Sequence, residues 1–474
     1  MVVAFALGCA AEDPVRVSDE CVAVTEPTLL PTAGGVAGRW SLGLVDGHVL
    51  FAYTALSSDG QVASAHAQWL TSDFDAESAE FWLGDSDALV PFEWVSHDGR
   101  LWAQIWAEID GGARPVRETV AIYALSPGSS TPDRMARPMP ANSGLDGLGA
   151  TPIDVGGGGG ISAGNDVRAP VTVAFGGPVF ALAGIPTYCP AYINYSRLFV
   201  FTATDVEVAG SPDVPCVGDG TTWEHDMRLV PLRDGGAGVF FRLGTGAGQG
   251  FVHYSRIGPD LRLVDTPPHR VDFTTRASPI PGGFQPQAVA LGDGTLLYTL
   301  HNAQSDSSEC QDLMLVAPDG TGAHAAPFQM RCQPPPDGLR RGLNGPTLSA
   351  WVVLQPLASG HAVIAYGERT NYSPPGTEFV RAITASTEWE DGVFLHTIDE
   401  RGRRASEILR VSAPETTGLL GPTTPRTATT GPYPGELEVQ AISEGDDVVV
   451  AWFDRRPDAP GYYARRYHCG ALAD

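Results

Sequence analysis

Seven times along the chain, a short apolar run of branched and aromatic residues follows a tight polar turn, with runs centred near residues 51, 103, 181, 240, 298, 364 and 450. Each run is too short for an ordinary helix and fits a strand covered on both faces. The clearest copy is Gly435–Cys469. In it, Leu437, Val439 and Ala441 alternate with Glu438 and Gln440, the period-2 mark of a half-buried strand. Glu444-Gly445-Asp446-Asp447 is a turn by composition, Val448–Phe453 a continuous apolar strand, and Tyr462–Tyr467 an aromatic/arginine alternation suited to a more exposed strand. Asp46-Gly47, Asp98-Gly99 and Asp293-Gly294 fall between such runs, where Asp-Gly is a strong hairpin signal.

The steps between runs are about 50 to 65 residues, except for two of about 78 and 86 that contain irregular segments. These segments, 126–169 and 412–434, are rich in Gly, Pro, Ser or Thr and read as inserted loops. The 56 glycines and 39 prolines are about a fifth of the chain. Glycine costs about 1 kcal/mol and proline about 3 kcal/mol in a helix interior, which excludes a helical protein. The expectation is an all-β fold: one β-propeller over 21–474, counted as seven-bladed with six or eight left open. Its rival is a pair of β-sandwich domains split near the glycine run 156–160.

The first eleven residues, MVVAFALGCAA, resemble the end of a bacterial lipoprotein signal, with Gly8 before Cys9. The resemblance implies lipidation of Cys9, with residues 1–20 as signal remnant and tether. Ordinary cleavage near Ala10 or Ala11, and no export, stay open. The implied location is a bacterial cell envelope or the medium, with a membrane met only through the lipid. Setting Cys9 aside leaves six of the seven cysteines, an even number that suits an oxidising compartment. Cys189 and Cys216, and Cys310 and Cys332, are neighbours flanking loop-like segments, which leaves Cys21 for Cys469. If 22–26 is the fourth strand of the last unit, antiparallel to Tyr462–Tyr467, those two cysteines meet and close the ring.

The formal charge of −25 argues against nucleic acid and against docking on anionic lipid. All thirty basic residues are arginine, so Schiff-base and Ser-Lys chemistry are excluded. Gly160-Ile161-Ser162-Ala163-Gly164 has the G-x-S-x-G spacing but lacks the strand and helix that would expose its serine. None of the eleven histidines has zinc spacing. Asp73, Asp75 and Glu77 alternate and could offer oxygens to calcium, although a solvated acidic face explains them better. Trp102, Trp106, Trp351 and Trp452 lie in apolar runs and read as core.

The segment Val448–Arg466, with AWFDRR and YYARR, resembles repeat units of sialidase-like secreted propellers. That family's Asp-box is not met at Ser96-His97-Asp98-Gly99, where the glycine comes one place early, and no catalytic residue transfers. Arg455 and Arg456 read as local ion-pair partners. The functional expectation is a monomeric, cofactor-free binding or scaffold module for a protein or glycan. The stretches 126–169, 372–378 and 412–434 would shape its ligand surface, and a carbohydrate-active hydrolase or lyase at the tunnel mouth is the alternative.

Overall fold

The computed structural model describes residues 18–32, 36–56, 63–85, 90–91, 93–108, 118–138, 171–174, 179–187, 193–201, 206–208, 222–245, 249–258, 264, 269–271, 287–300, 312–325, 340–341, 348–373, 389–413, 439–454 and 459–471. Among them the chain is all-β, and its strands fall into seven antiparallel sheets of four or five strands. The first sheet is Val36–Val45, His48–Leu56, Ala63–Leu70 and Phe81–Gly84. The second is Val95–His97, Arg100–Glu108, Glu118–Leu125 and Asp133–Pro138; the third is Val171–Ala174, Val179–Thr187, Ile193–Phe201 and Val206–Val208. The fourth is Thr222–Pro231, Ala237–Thr245, Gln249–Ile257 and His269–Arg270; the fifth is Ala288–Ala290, Leu296–Leu300, Asp312–Val316 and Ala323–Ala325. The sixth is Leu348–Pro356, Ala362–Ser373, Trp389–Ile398 and Leu409–Arg410, with Arg340–Arg341 added along Ala362–Ser373. The seventh is Val439–Glu444, Asp447–Asp454 and Gly461–Ala471, completed from the other end of the chain by Asp19–Ala23 and Thr28–Leu29.

Every sheet is an up-and-down meander, so its faces must be covered by other sheets. The first strand of each sheet lies beside the first strand of the next, and that of the seventh lies beside that of the first. Among the described residues, side chains form an apolar cluster at five of the junctions between sheets. Leu50, Trp69 and Phe81 meet Leu101 and Tyr123 between the first and second sheets. Trp40, Phe51 and Tyr53 meet Val449 and Tyr462 between the seventh and first. Val363 and Leu395 meet Val448 and Trp452 between the sixth and seventh. Burial of each such side chain stabilises by about 1.5–3 kcal/mol. This arrangement is propeller-like, and it is not the pair of stacked sheets a sandwich would show.

The turns follow their residues. Asp46 (φ 51°) with Gly47 (φ 77°), and Asp98 (φ 50°) with Gly99 (φ 67°), both take the left-handed region at the two central positions of a hairpin. At the fifth and sixth sheets two turns approach backbone to backbone. A Cβ on Gly360 (φ +88°) would stand 2.7 Å from the Gly292 Cα, so only glycine fits.

Several expectations are corrected. The segment 126–169 is not one inserted loop: Asp133–Pro138 pairs with Glu118–Leu125 as the outer strand of the second sheet. The stretch 372–378 does not begin as a loop either, because Tyr372 and Ser373 continue a long strand and pair with Arg341 and Arg340. The closing strand is Asp19–Ala23, so it begins inside the segment read as tether, and a break separates it from Thr28–Leu29.

The closure itself is as expected. Cys21 lies opposite Cys469 in the register and the two form a disulfide with their Cα atoms 4.0 Å apart. Beyond the break, Arg465 Nε donates to the Thr25 carbonyl and Arg466 N to Thr25 Oγ1. Asp19 is almost fully buried and accepts from His361 Nδ1 of the sixth sheet at 2.6 Å. The backbone N–H groups of Ser18 and Asp19 donate to the Ala405 carbonyl. The closing strand therefore spans the junction between sheets six and seven.

Two outcomes follow from this closure. Cross-linking residues 448 apart restricts the unfolded chain, an effect on the order of 5 kcal/mol. Cys21→Ser is expected to lower the thermal midpoint clearly, measured by circular dichroism under oxidising conditions, whereas an unchanged midpoint would show the bond to be energetically idle. The Asp19 carboxylate raises the His361 pKa from 6.5, outweighing burial, with Asp399 and Glu400 adding to it. The folded state thus binds the proton more tightly than the unfolded chain. Its stabilisation is fully present below pH 6.5 and is lost as pH rises through the raised value. His361→Gln is expected to remove this loss from a pH series of melting midpoints.

Candidate functional site

Because the strands alternate in direction, alternate connections share an end of the ring. At one end lie the first-to-second and third-to-fourth connections, none longer than eleven residues. These turns are stapled to one another across sheets. Glu444 of the seventh sheet accepts from Asp46 N at 2.7 Å and Gly47 N at 2.8 Å of the first. Ala358 N donates to the Gly445 carbonyl, Ser359 N to Asp446 Oδ1, and Gly292 N to the Gly360 carbonyl. Trp69 Nε1 donates to the Ser129 carbonyl at 2.8 Å. At the opposite end lie the second-to-third connections and those that pass to the next sheet. They include the longest ones in the sequence: 139–170, 374–388 and 414–438, which lie outside the described residues, and 326–347, of which only Arg340–Arg341 is described.

One polar contact skips a sheet. Glu93 leads into the first strand of the second sheet, and Arg228 sits on the first strand of the fourth. Arg228 Nη1 donates to Glu93 Oε2 at 2.7 Å and Nη2 to Oε1 at 2.8 Å. A register shift between His225 and Arg228 lets this side chain leave the ladder of its own sheet. Glu93 is held in turn by its neighbour: Trp94 packs between sheets and its Nε1 donates to Ser41 Oγ at 3.1 Å. The pair is a fork-on-fork ion bridge, with the Arg228 side chain 7% and the Glu93 side chain 28% exposed. Both carboxylate oxygens are engaged by the guanidinium, so Glu93 serves as a strut and not as a proton donor. The sequence signal for this strut was a single arginine within the apolar run Met227–Leu232.

The residues singled out from sequence fare differently. Thr71 Oγ1 accepts from Asp73 N and Asp75 N, and Phe74 (φ 68°) buries its ring beneath the turn. Asp73, Asp75 and Glu77 are exposed, and Glu77 Oε2 lies 2.7 Å from His48 Nδ1. Among the described residues no three His, Cys, Asp or Glu side chains gather to hold a metal ion. Trp102 and Trp452 are core residues, as expected. Cys9, Cys189, Cys216, Cys310, Cys332, Arg455, Arg456, the Gly160–Gly164 stretch and the side chains of Trp106 and Trp351 lie outside the described residues.

No protein-family model and no curated protein sequence matches the chain. Solved structures resemble it at low identity. A Penicillium chrysogenum α-L-arabinanase complexed with arabinobiose is 11% identical with a TM-score of 0.41, over 74% of this chain and 94% of that one. A Hadza microbial sialidase is 9% identical with a TM-score of 0.44, over 87% and 73%. A Trypanosoma rangeli sialidase mutant displaying trans-sialidase activity is 10% identical with a TM-score of 0.39, over 92% of this chain and 59% of that one. No residue role passes from them to this chain.

Glu93→Gln is expected to destabilise by about 3–5 kcal/mol, because it leaves the Arg228 charge buried without its counter-ion. Replacing both partners, Glu93→Gln with Arg228→Met, is expected to recover much of that loss in a urea-unfolding double-mutant cycle. Equal losses in the single and double variants would show that the bridge is not the cause.

Proposed function

We propose that the chain is a single seven-bladed β-propeller that works outside the cytoplasm as a binding module, holding a protein or glycan at its long-connection end. The observation that carries this reading is the contrast between the two ends. Tight turns at one end are hydrogen-bonded to their neighbours across sheets. The opposite end receives the longest connections of the sequence. Rigid scaffolds place recognition on such connections because these can vary without disturbing the core. Capture of this kind requires no bond to be made or broken and no cofactor. The Cys21–Cys469 disulfide favours an oxidising compartment, in keeping with export through the Cys9 region and lipid anchoring at a bacterial envelope or release into the medium. The charge of −25 disfavours nucleic acid as the partner.

A glycan array, run beside a panel of glycoside substrates, tests the reading. Retention of a ligand is expected, and it should be lost when residues 139–170 are replaced by a short Gly-Ser linker. It should persist when the opposite end is altered by Thr321→Ala. Turnover of a glycoside, or retention insensitive to the linker replacement and sensitive to Thr321→Ala, would overturn it.

A further inference from the structure

The outer half of the first sheet carries a polar relay that the binding reading does not use. Ser64 and His66 are two residues apart on Ala63–Leu70 and so share a face. The register sets Tyr53 opposite His66 on one side and Trp82 opposite it on the other. A register shift between Ala65 and His66 marks a bulge at this point, a device that re-aims side chains beside functional sites. Glu80 immediately precedes the outer strand Phe81–Gly84.

The contacts run in one line. Ser64 Oγ lies 2.8 Å from His66 Nε2, and His66 Nδ1 lies 2.9 Å from Glu80 Oε1. The Tyr53 hydroxyl donates to the other Glu80 oxygen, and the Tyr53 and His66 rings are stacked with centroids 5.8 Å apart. An ionised Glu80 accepts only, so Nδ1 carries the imidazole proton and Nε2 presents a lone pair to Ser64 Oγ. The other acceptor for that hydroxyl, the Ala55 carbonyl, is 3.4 Å away and loses to the imidazole. The His66 and Glu80 side chains are 21% and 23% exposed, sheltered yet reachable. Beside them Trp82 is 58% exposed, an indole left open in the row of His66.

We propose that Ser64, His66 and Glu80 form a nucleophile–base–carboxylate relay that hydrolyses carboxylic esters of small acyl groups, with Trp82 as the platform for the flat or apolar face of the alcohol part. Ser64 Oγ attacks the ester carbonyl carbon while its proton passes to His66 Nε2, and Glu80 stabilises the imidazolium. Collapse breaks the bond to the alcohol oxygen, which leaves with the proton from His66. The acyl group stays on Ser64 Oγ. Water then attacks this acyl ester, His66 takes a proton from the water and returns it to Ser64 Oγ, and the carboxylic acid leaves. One ester and one water give one acid and one alcohol.

The full chain, treated with a fluorophosphonate probe and mapped by peptide mass, tests the relay independently of ligand capture. Stoichiometric label on Ser64 is expected, with p-nitrophenyl acetate turnover abolished in Ser64→Ala and His66→Ala. Glu80→Gln is expected to lower kcat by about 10²–10⁴-fold while the label still forms slowly. Trp82→Ala is expected to raise KM and leave kcat near the parent value. Should His66→Ala fail to fold, Ser64→Cys gives a second readout: its thiol is expected to react with iodoacetamide faster than free cysteine at neutral pH. Absence of label on Ser64, turnover by Ser64→Ala at the parent rate, or an unactivated thiol in Ser64→Cys would overturn the proposal.

Discussion

A small antiparallel sheet with two apolar faces is unstable alone, and that constraint organises this molecule. Val449, Ala451 and Tyr462 of the seventh sheet are covered by the first sheet, while Val448, Val450 and Trp452 are covered by the sixth. Strand Asp447–Asp454 therefore has no polar side and no solvent side. The first, fifth and sixth sheets are covered on both faces in the same way, and a row of such sheets is satisfied only by having no ends. The seventh sheet borrows its outer strand from the beginning of the chain, so the closure is made by ladder hydrogen bonds and by the Cys21–Cys469 bond together. Loss of the closing strand would expose Tyr467 and Cys469, both otherwise buried, and uncover Asp19's partner His361.

The same logic explains why so much of the fold was legible. Central strands packed on both faces are apolar on both, so Val448–Phe453 and Ala362–Tyr366 stand out as unbroken runs. Hairpin turns demand left-handed residues, so Asp46-Gly47 and Asp98-Gly99 mark them. Outer strands have neither obligation. His269–Arg270, Ala323–Ala325 and Leu409–Arg410 are two or three residues long and carry no periodic signal. Asp133–Pro138 was hidden for the same reason, inside a segment whose composition is that of a loop.

The polar features were legible in proportion to their locality. The acidic turn at Asp73–Glu77 is visible in one glance at the sequence, and its contacts turn out to be local as well. Arg228 and Glu93 are 135 residues apart and lie on sheets that are not neighbours, so pairing them required the ring. Ser64 and His66 show the right spacing for one face of a strand. Their link to Glu80 depends on a bulge and an outer strand, neither of which the local pattern announces.

The exclusive use of arginine gains a physical sense from these contacts. Arg228 needs a planar fork to grip both oxygens of Glu93 from one side while nearly buried, which a lysine ammonium cannot do. Arg403 grips Asp399 through Nε and Nη2. Arg100, Arg410 and Arg465 lie over the rings of Trp102, Phe394 and Tyr467, where a flat, weakly hydrated cation rests against an aromatic face. Arg410 and Arg465 stand on the outer and third strands of their sheets and are partly buried. The guanidinium groups of Arg100, Arg228, Arg403, Arg410 and Arg465 thus stand where their plane can stack or fork. Carboxylates at the turns, as Glu444 and Asp446, accept instead from backbone N–H groups of the neighbouring sheet.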